Sequence, residues 1–180
     1  YLSVAAVNAN GEHTSYSTAG ANVMVSAPAG EYGRFAPAMV TTDQMTCING
    51  YSGFNGGSIT AWAAAYGEEF AASQYPFNYP GHADNASCNY TSTFNGTSSA
   101  APNASGVVSL ILSANPDLTW RDVRHILAST STLIDADNAA VKLTVGEGEF
   151  VAHDGWIENS AGYNFNNLYG FGRADAGAAV

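Results

Sequence analysis

The chain opens on Leu2-Ser3-Val4-Ala5-Ala6-Val7, a run so poor in polar residues that it predicts a strand buried on both faces, as in parallel sheets. Asn8-Ala9-Asn10-Gly11 then predicts a turn. A second short strand, Val23-Met24-Val25-Ser26-Ala27, is expected to end at Pro28, with a flexible Ala29-Gly30-Glu31-Tyr32-Gly33 after it. Two buried strands imply further strands beside them. From Met45 to Asn95 periodicity is weak, and Gly, Asn, Ser, Tyr and Phe dominate. The stretch at about 45–94 therefore predicts an elaborated loop or small insertion, with a short helix near Ile59 to Glu69.

Beyond Gly96 helical spacing takes over. Val107, Leu110, Ile111 and Ala114 predict a buried helix from about Ser98 to Ala114, with Ser99, Ala100, Ala101 and Gly106 as its close-packing positions. Pro102 is expected in the first turn, where a missing N–H loses no intrahelical bond, and Asn115-Pro116 is the stop. A second helix starts at Thr119, whose hydroxyl can cap while Asp122 three residues on completes a capping box; Val123, Ile126 and Leu127 supply its apolar stripe. Val141 to Val145 and Glu149 to Val151 predict a hairpin around Gly146-Glu147-Gly148, and the tail after Tyr169-Gly170-Phe171-Gly172 predicts a last short helix.

The 180 residues suffice for one domain or part of one. Five Lys plus Arg against 15 Asp plus Glu give a net charge of −10, which repels phosphate backbones and anionic headgroups. This argues against nucleic acid and membrane as partners. The same charge suits either the attraction of basic peptides or plain solubility, and solubility is the simpler reading. No apolar run approaches the roughly 18 residues that span a bilayer. The start carries neither a Met nor a basic segment followed by an apolar one, so the beginning of the protein is expected to lie elsewhere. Cys47 and Cys88 are an even count within one loop-rich stretch and suit a disulfide formed in an oxidising compartment. Two unpaired thiols are the alternative. A metal site from these two is disfavoured, since no CxxC or clustered His accompanies them.

The sharpest local feature is Asn95-Gly96-Thr97-Ser98-Ser99-Ala100-Ala101-Pro102, a glycine turn that sets a serine at the start of a small-residue helix. Unpaired N–H groups and the positive end of the helix dipole stabilise an oxyanion formed at such a place, and small neighbours let a substrate backbone approach. A bare Gly-Thr-Ser reads more readily as an ordinary capping serine. The wider string changes that balance, because Gly96-Thr97-Ser98-Ser99-Ala100-Ala101-Pro102 resembles the nucleophile motif of the subtilisin family, G-T-S-x-A-x-P. Ala114-Asn115-Pro116-Asp117-Leu118-Thr119-Trp120-Arg121-Asp122-Val123 resembles the stretch after the nucleophile helix in its kexin and furin branch. Ser15-Tyr16-Ser17 with Val25-Ser26-Ala27-Pro28, Gly30-Glu31-Tyr32 with Thr41-Thr42-Asp43, and the Tyr169 to Ala176 tail resemble the same branch.

The resemblance implies a three-layer α/β fold with a mainly parallel sheet, residues 1–180 being the C-terminal half of a peptidase catalytic domain. It implies that Ser98 attacks the scissile carbonyl, that its own N–H donates to the oxyanion, and that Gly96 and Thr97 meet the substrate. The family's D-S/T-G and H-G-T patterns, which carry the aspartate and histidine, do not occur here, so both are expected upstream of Tyr1 with the oxyanion asparagine. The partners implied are a polypeptide substrate and the N-terminal half of the same domain. The setting implied is a secreted or periplasmic enzyme made as a zymogen.

Of the four histidines, His13 and His153 read as surface groups and His125 as structural; His82 is a loop histidine more readily than a relocated base. The resemblance also implies structural calcium and cleavage after basic residues. Thr18 stands where the branch often has an acidic residue near a calcium site, and Asp43, Asp84, Asp135 and Asp137 read first as solvated loop carboxylates, so no metal ligand is assigned. Asn-x-Ser/Thr strings begin at Asn85, Asn89, Asn95 and Asn103; a glycan on either of the last two would block Ser98. Two other readings stay open: a serine esterase, and a catalytically incomplete chain serving as a binding module or scaffold.

Overall fold

A computed structural model describes residues 1–53 and 57–180, side chains 57 and 58 excepted. In chain order, β1 (Ser3–Val7) and β2 (Val23–Pro28) are followed by β3 (Met39–Thr42), α1 (Gly57–Tyr66), α2 (Glu68–Gln74) and β4 (Tyr90–Phe94). Then come α3 (Thr97–Ala114), α4 (Trp120–Thr130), β5 (Val141–Val145), β6 (Gly148–His153), β7 (Ile157–Glu158), β8 (Asn164–Phe165) and α5 (Ala176–Ala179). These elements fall into two compact units, one made of Tyr1–Ala29 with Gly96–Val180 and the other of Gly30–Asn95.

In the first unit β1 and β2 pair in parallel, with Val4 opposite Val25 and Ala6 opposite Ala27. Their apolar runs are buried because α3 closes on them. Ala6, Ala27, Ala29, Ala100 and Ala104 form one cluster, in which methyl-sized side chains bring the helix close to the strands. Met24, Val25, Ile111, Val123 and Leu127 form a second, in which α4 joins. Burying residues such as Ile111 and Leu127 contributes about 1.5–3 kcal/mol each. The capping box expected at α4 is present: Thr119 N–H donates to Asp122 at 2.7 Å, and Asp122 N–H donates to the Thr119 hydroxyl at 3.4 Å. The chain after Tyr169 then extends the sheet, since Ser26 N–H donates to Gly172 O at 2.8 Å and Ala174 N–H to Ser26 O at 2.9 Å. Gly170 passes so close to β2 that a Cβ would lie 2.4 Å from Met24 O, at a φ of +65°, so only glycine fits.

Three features of this unit differ from expectation within these 180 residues. Leu110 is exposed: the buried face runs through Ala100, Ala104 and Ile111, and Leu110 lies about 100° around the helix from Ile111. Ala101 and Gly106 are exposed as well, and Ala101 lines an open apolar groove of about 720 Å³ with Leu2, Val108, Leu112 and Trp120. The β5–β6 turn has two residues, Gly146 and Glu147, because Val145 pairs with Gly148; Gly146 takes the positive φ of +63° that such a turn needs.

The second unit is held together differently. β3 and β4 pair antiparallel, and Cys47–Cys88 is a disulfide with a Cα–Cα distance of 4.9 Å. The helix expected over Ile59 to Glu69 is two helices, because Gly67 at φ +92° breaks it between α1 and α2. Ile59, Ala71 and Tyr75 make a small apolar core. Beside it lies a polar one. Asn78 donates to the hydroxyls of Thr91 and Thr93 and accepts from Ser92 N–H, and Asn85 bonds both Tyr90 N–H and Tyr90 O.

Candidate active site

The site is built by the turn into α3. Gly96, the N-cap, has φ 86° and ψ 170°, a conformation essentially confined to glycine. Its N–H donates to the Tyr16 hydroxyl at 3.0 Å, and its carbonyl accepts from Ser99 N–H at 2.8 Å. The turn is thus tied on both sides before the helix begins. Thr97 and Ser98 are the first two helical residues, so their N–H groups have no intrahelical acceptor. No acidic side chain stands in this first turn, which leaves the positive end of the α3 dipole uncompensated.

Ser99 and Ala100 are buried, whereas Thr97 and Ser98 are exposed. The Ser98 hydroxyl therefore faces solvent, and no hydrogen-bond partner for it exists among the described residues. Gly96, Thr97 and Ser98 come together as one exposed turn whose inner neighbours anchor it. Pro102 requires a correction. It is the sixth residue of α3, not part of the first turn, and the N–H it lacks would have donated to Ser98 O. An interior proline costs a helix about 3 kcal/mol, and here the missing bond falls on the carbonyl of Ser98 itself. Asn103 bridges the next turn, its amide donating to Ser99 O at 2.9 Å and Pro28 O at 3.0 Å.

Each histidine has its own setting. His13 N–H donates to the Tyr169 hydroxyl at 2.9 Å, and its ring meets Tyr169 edge-on. His153, expected at the surface, is 8% exposed: its Nδ1 accepts from Gly155 N–H at 2.8 Å, and Nε2 has no partner among the described residues. His125, expected to be structural, is exposed on α4 beside Tyr163. His82 Nδ1 accepts from Asp84 N–H at 3.2 Å in the second unit.

Sequence reasoning missed the network around Tyr169. Its buried hydroxyl donates to Asp135 at 2.6 Å and accepts from His13 N–H, while its ring stacks on Trp156 at 5.7 Å. Burial, and then the bond to the Asp135 carboxylate, push the phenol well above the ordinary tyrosine range. Asp43, in the second unit, accepts from the N–H groups of Gln44, Tyr51 and Ser52. Among the described residues no three His, Cys, Asp or Glu side chains come together, and Asp43 and Asp135 accept hydrogen bonds within the fold.

Residues 1–172 match the subtilase family. The extracellular serine protease of Aeromonas sobria is 39% identical over 99% of this chain and 27% of its own length. Neuroendocrine convertase 2 of Drosophila melanogaster is 46% identical over 50% of this chain and 12% of its own length. Among solved structures, the Aeromonas sobria serine protease superposes with a TM-score of 0.77 at 38% identity, covering 98% of this chain and 28% of that one. Its complex with the chaperone ORF2 gives a TM-score of 0.78 at 37% identity, covering 98% and 28%. The chain thus spans about a quarter of the length of these Aeromonas relatives. With its match over residues 1–172 and a solved relative of the same α/β architecture, the chain belongs to the subtilase family and has a subtilisin-like fold.

Proposed function

We propose that this chain carries the nucleophile of a secreted serine endopeptidase, and that the nucleophile is Ser98. One observation carries the reading: an exposed serine hydroxyl in the first turn of α3, behind a glycine whose conformation and Tyr16 bond hold the turn in place. Ser98 Oγ would form a bond to the scissile carbonyl carbon while its proton passes to a histidine. The Ser98 N–H would donate to the carbonyl oxygen as it becomes negative. Collapse of that intermediate breaks the C–N bond, and the amine leaves with the histidine's proton. Water then releases the acyl group from Ser98 by the same steps in reverse.

The histidine and its aspartate would come from sequence outside these 180 residues, as the family's order of motifs implies. Secretion is supported by the disulfide and by the extracellular relative. Cleavage after basic residues is supported by the convertase relatives. For these 180 residues in isolation, which lack the other two triad motifs, a second reading is a catalytically incomplete subtilase module that binds a partner or serves as a scaffold. A fluorophosphonate probe applied to the full-length protein separates the two. An adduct at Ser98, abolished in Ser98→Ala, is the expected result; no adduct on folded full-length protein would overturn the catalytic reading. Faster turnover of peptide than of simple ester substrates is expected of a peptidase, and the reverse would favour an esterase.

A further inference from the structure

The α1–α2 face of the Gly30–Asn95 unit presents an open cluster of aromatic rings. Trp62 meets Tyr66 at 5.1 Å and Phe70 at 5.6 Å between ring centroids, and Tyr66 meets Phe70 at 5.2 Å. Trp62 is half-buried on the core of Ile59, Ala71 and Tyr75, and this fixes the cluster to the fold. Tyr66 and Phe70 are exposed, at 65% and 36%. The helix break at Gly67 puts all three rings together.

A cation already uses this surface. The guanidinium of Arg34 lies 4.3 Å from the Trp62 ring centroid and 4.4 Å from that of Phe35, and its Nε donates to Gln74. The face of an aromatic ring attracts cations electrostatically, tryptophan most of all. Glu68 and Glu69 stand in the first turn of α2, exposed, and neither makes an ion pair among the described residues. Their position favours the helix dipole, which explains the helix, and puts two negative charges on the helix that carries Phe70. Residues 30–95 contain Glu31, Asp43, Glu68, Glu69 and Asp84 against a single lysine or arginine, Arg34. Rings that hold a guanidinium, on an acidic unit, complement a cationic partner and repel anionic ones.

We propose that this face docks a polypeptide segment rich in arginine and lysine, and that Arg34 occupies part of it in cis. A partner arginine would stack on Trp62 in place of Arg34, and neighbouring basic residues would meet Glu68 and Glu69. The site is separate in kind from the reaction assigned to Ser98 and stands whether or not that assignment holds.

The test is the affinity of an eight-arginine peptide for the full-length protein, read by tryptophan fluorescence and calorimetry. The Ser98→Ala background keeps any peptidase activity from consuming the probe. Removal of the occupant in Arg34→Ala is expected to tighten binding about two- to fivefold, and Tyr66→Ser with Phe70→Ser to weaken it about fivefold. Glu68→Gln with Glu69→Gln should weaken binding and flatten its salt dependence. The charge variant, on exposed positions, decides the matter should the ring variant fail to fold. Equal affinity across the variants would mean that the peptide binds elsewhere, at the cleft of Ser98 or over the surface of a chain of charge −10, and the proposal would fail. Weaker binding by Arg34→Ala, or no binding by any form, would overturn it too.

Discussion

Replacing Tyr169 with phenylalanine isolates the network that ties the end of the chain to its beginning. The ring keeps its stacking on Trp156 and its edge contact with His13, so only the hydroxyl is lost. Two bonds go with it: the one donated to the Asp135 carboxylate at 2.6 Å and the one accepted from His13 N–H at 2.9 Å. A bond to a charged group contributes about 1.5–3 kcal/mol and a neutral one about 0.5–1.5. Asp135 keeps its bond from the Asn138 amide, so the expected cost of Tyr169→Phe is about 2–3 kcal/mol. Urea unfolding of the full-length protein measures it, and amide exchange at His13 should rise with it. The pH dependence supplies a second signature. The native phenol is held neutral above its usual range, so its contribution is complete below pH about 10 and is lost as pH rises further, where the unfolded chain ionises first. The gap between native protein and Tyr169→Phe should be flat below pH about 10 and narrow above it. A gap below about 0.5 kcal/mol with unchanged His13 exchange would show that water replaces both bonds, refuting the assignment of Tyr169 as a tie.

Tyr16→Phe removes the acceptor of Gly96 N–H, and the rate of fluorophosphonate labelling at Ser98 should fall about three- to tenfold while the unfolding midpoint hardly moves. Gly170→Ala places a methyl against Met24 O and strains a φ of +65°, so a loss of at least about 1–3 kcal/mol is expected in thermal or urea unfolding. Thr119→Ala deletes the α4 cap and should cost about 0.5–2 kcal/mol. The Thr119 hydroxyl and N–H together hold the Asp122 carboxyl below its ordinary value, so this support is present above the unfolded carboxyl's pKa and fades as pH falls through the native one; in Thr119→Ala the acid dependence of stability should be shallower. Reduction of Cys47–Cys88, which lie 41 positions apart, removes a loop constraint of up to about 4 kcal/mol, and limited proteolysis should then cut near 43–53 while α3 and α4 stay intact.

The helices after Gly96 were legible because their signals are local. Thr119 and Asp122 form a cap wherever the chain places them, and the Ala100, Ala104 and Ile111 stripe selects the buried face of α3. Leu110 lies off that stripe within these 180 residues, because spacing alone allows two overlapping stripes and β2 covers the one through Ile111. The second unit was poorly legible for a different reason. Its interior is closed by Asn78 and Asn85 bonding to backbone and hydroxyl groups of β4, and by a disulfide, so no apolar period runs along its sequence. β3 and β4 pair across nearly fifty residues, and no local feature of Met39–Thr42 announces the partner.

At the candidate site, the string from Gly96 to Pro102 could be read because serine, turn and small-residue helix are consecutive, and each demand falls on one residue. What holds them is long-range. Tyr16 is eighty positions from the N–H it accepts, and Tyr169 is 156 from that of His13. Neither pairing leaves a trace in composition or period, because a single hydroxyl serves either distance and asks only for a tyrosine. The Pro102 correction points the same way. The sequence shows that a proline follows the serine by four, but the helix must be seen to start at Thr97 before that proline becomes the residue that frees the carbonyl of Ser98. Local chemistry marks where the exposed serine hydroxyl is; the backbone around it is set by residues that only the fold brings near.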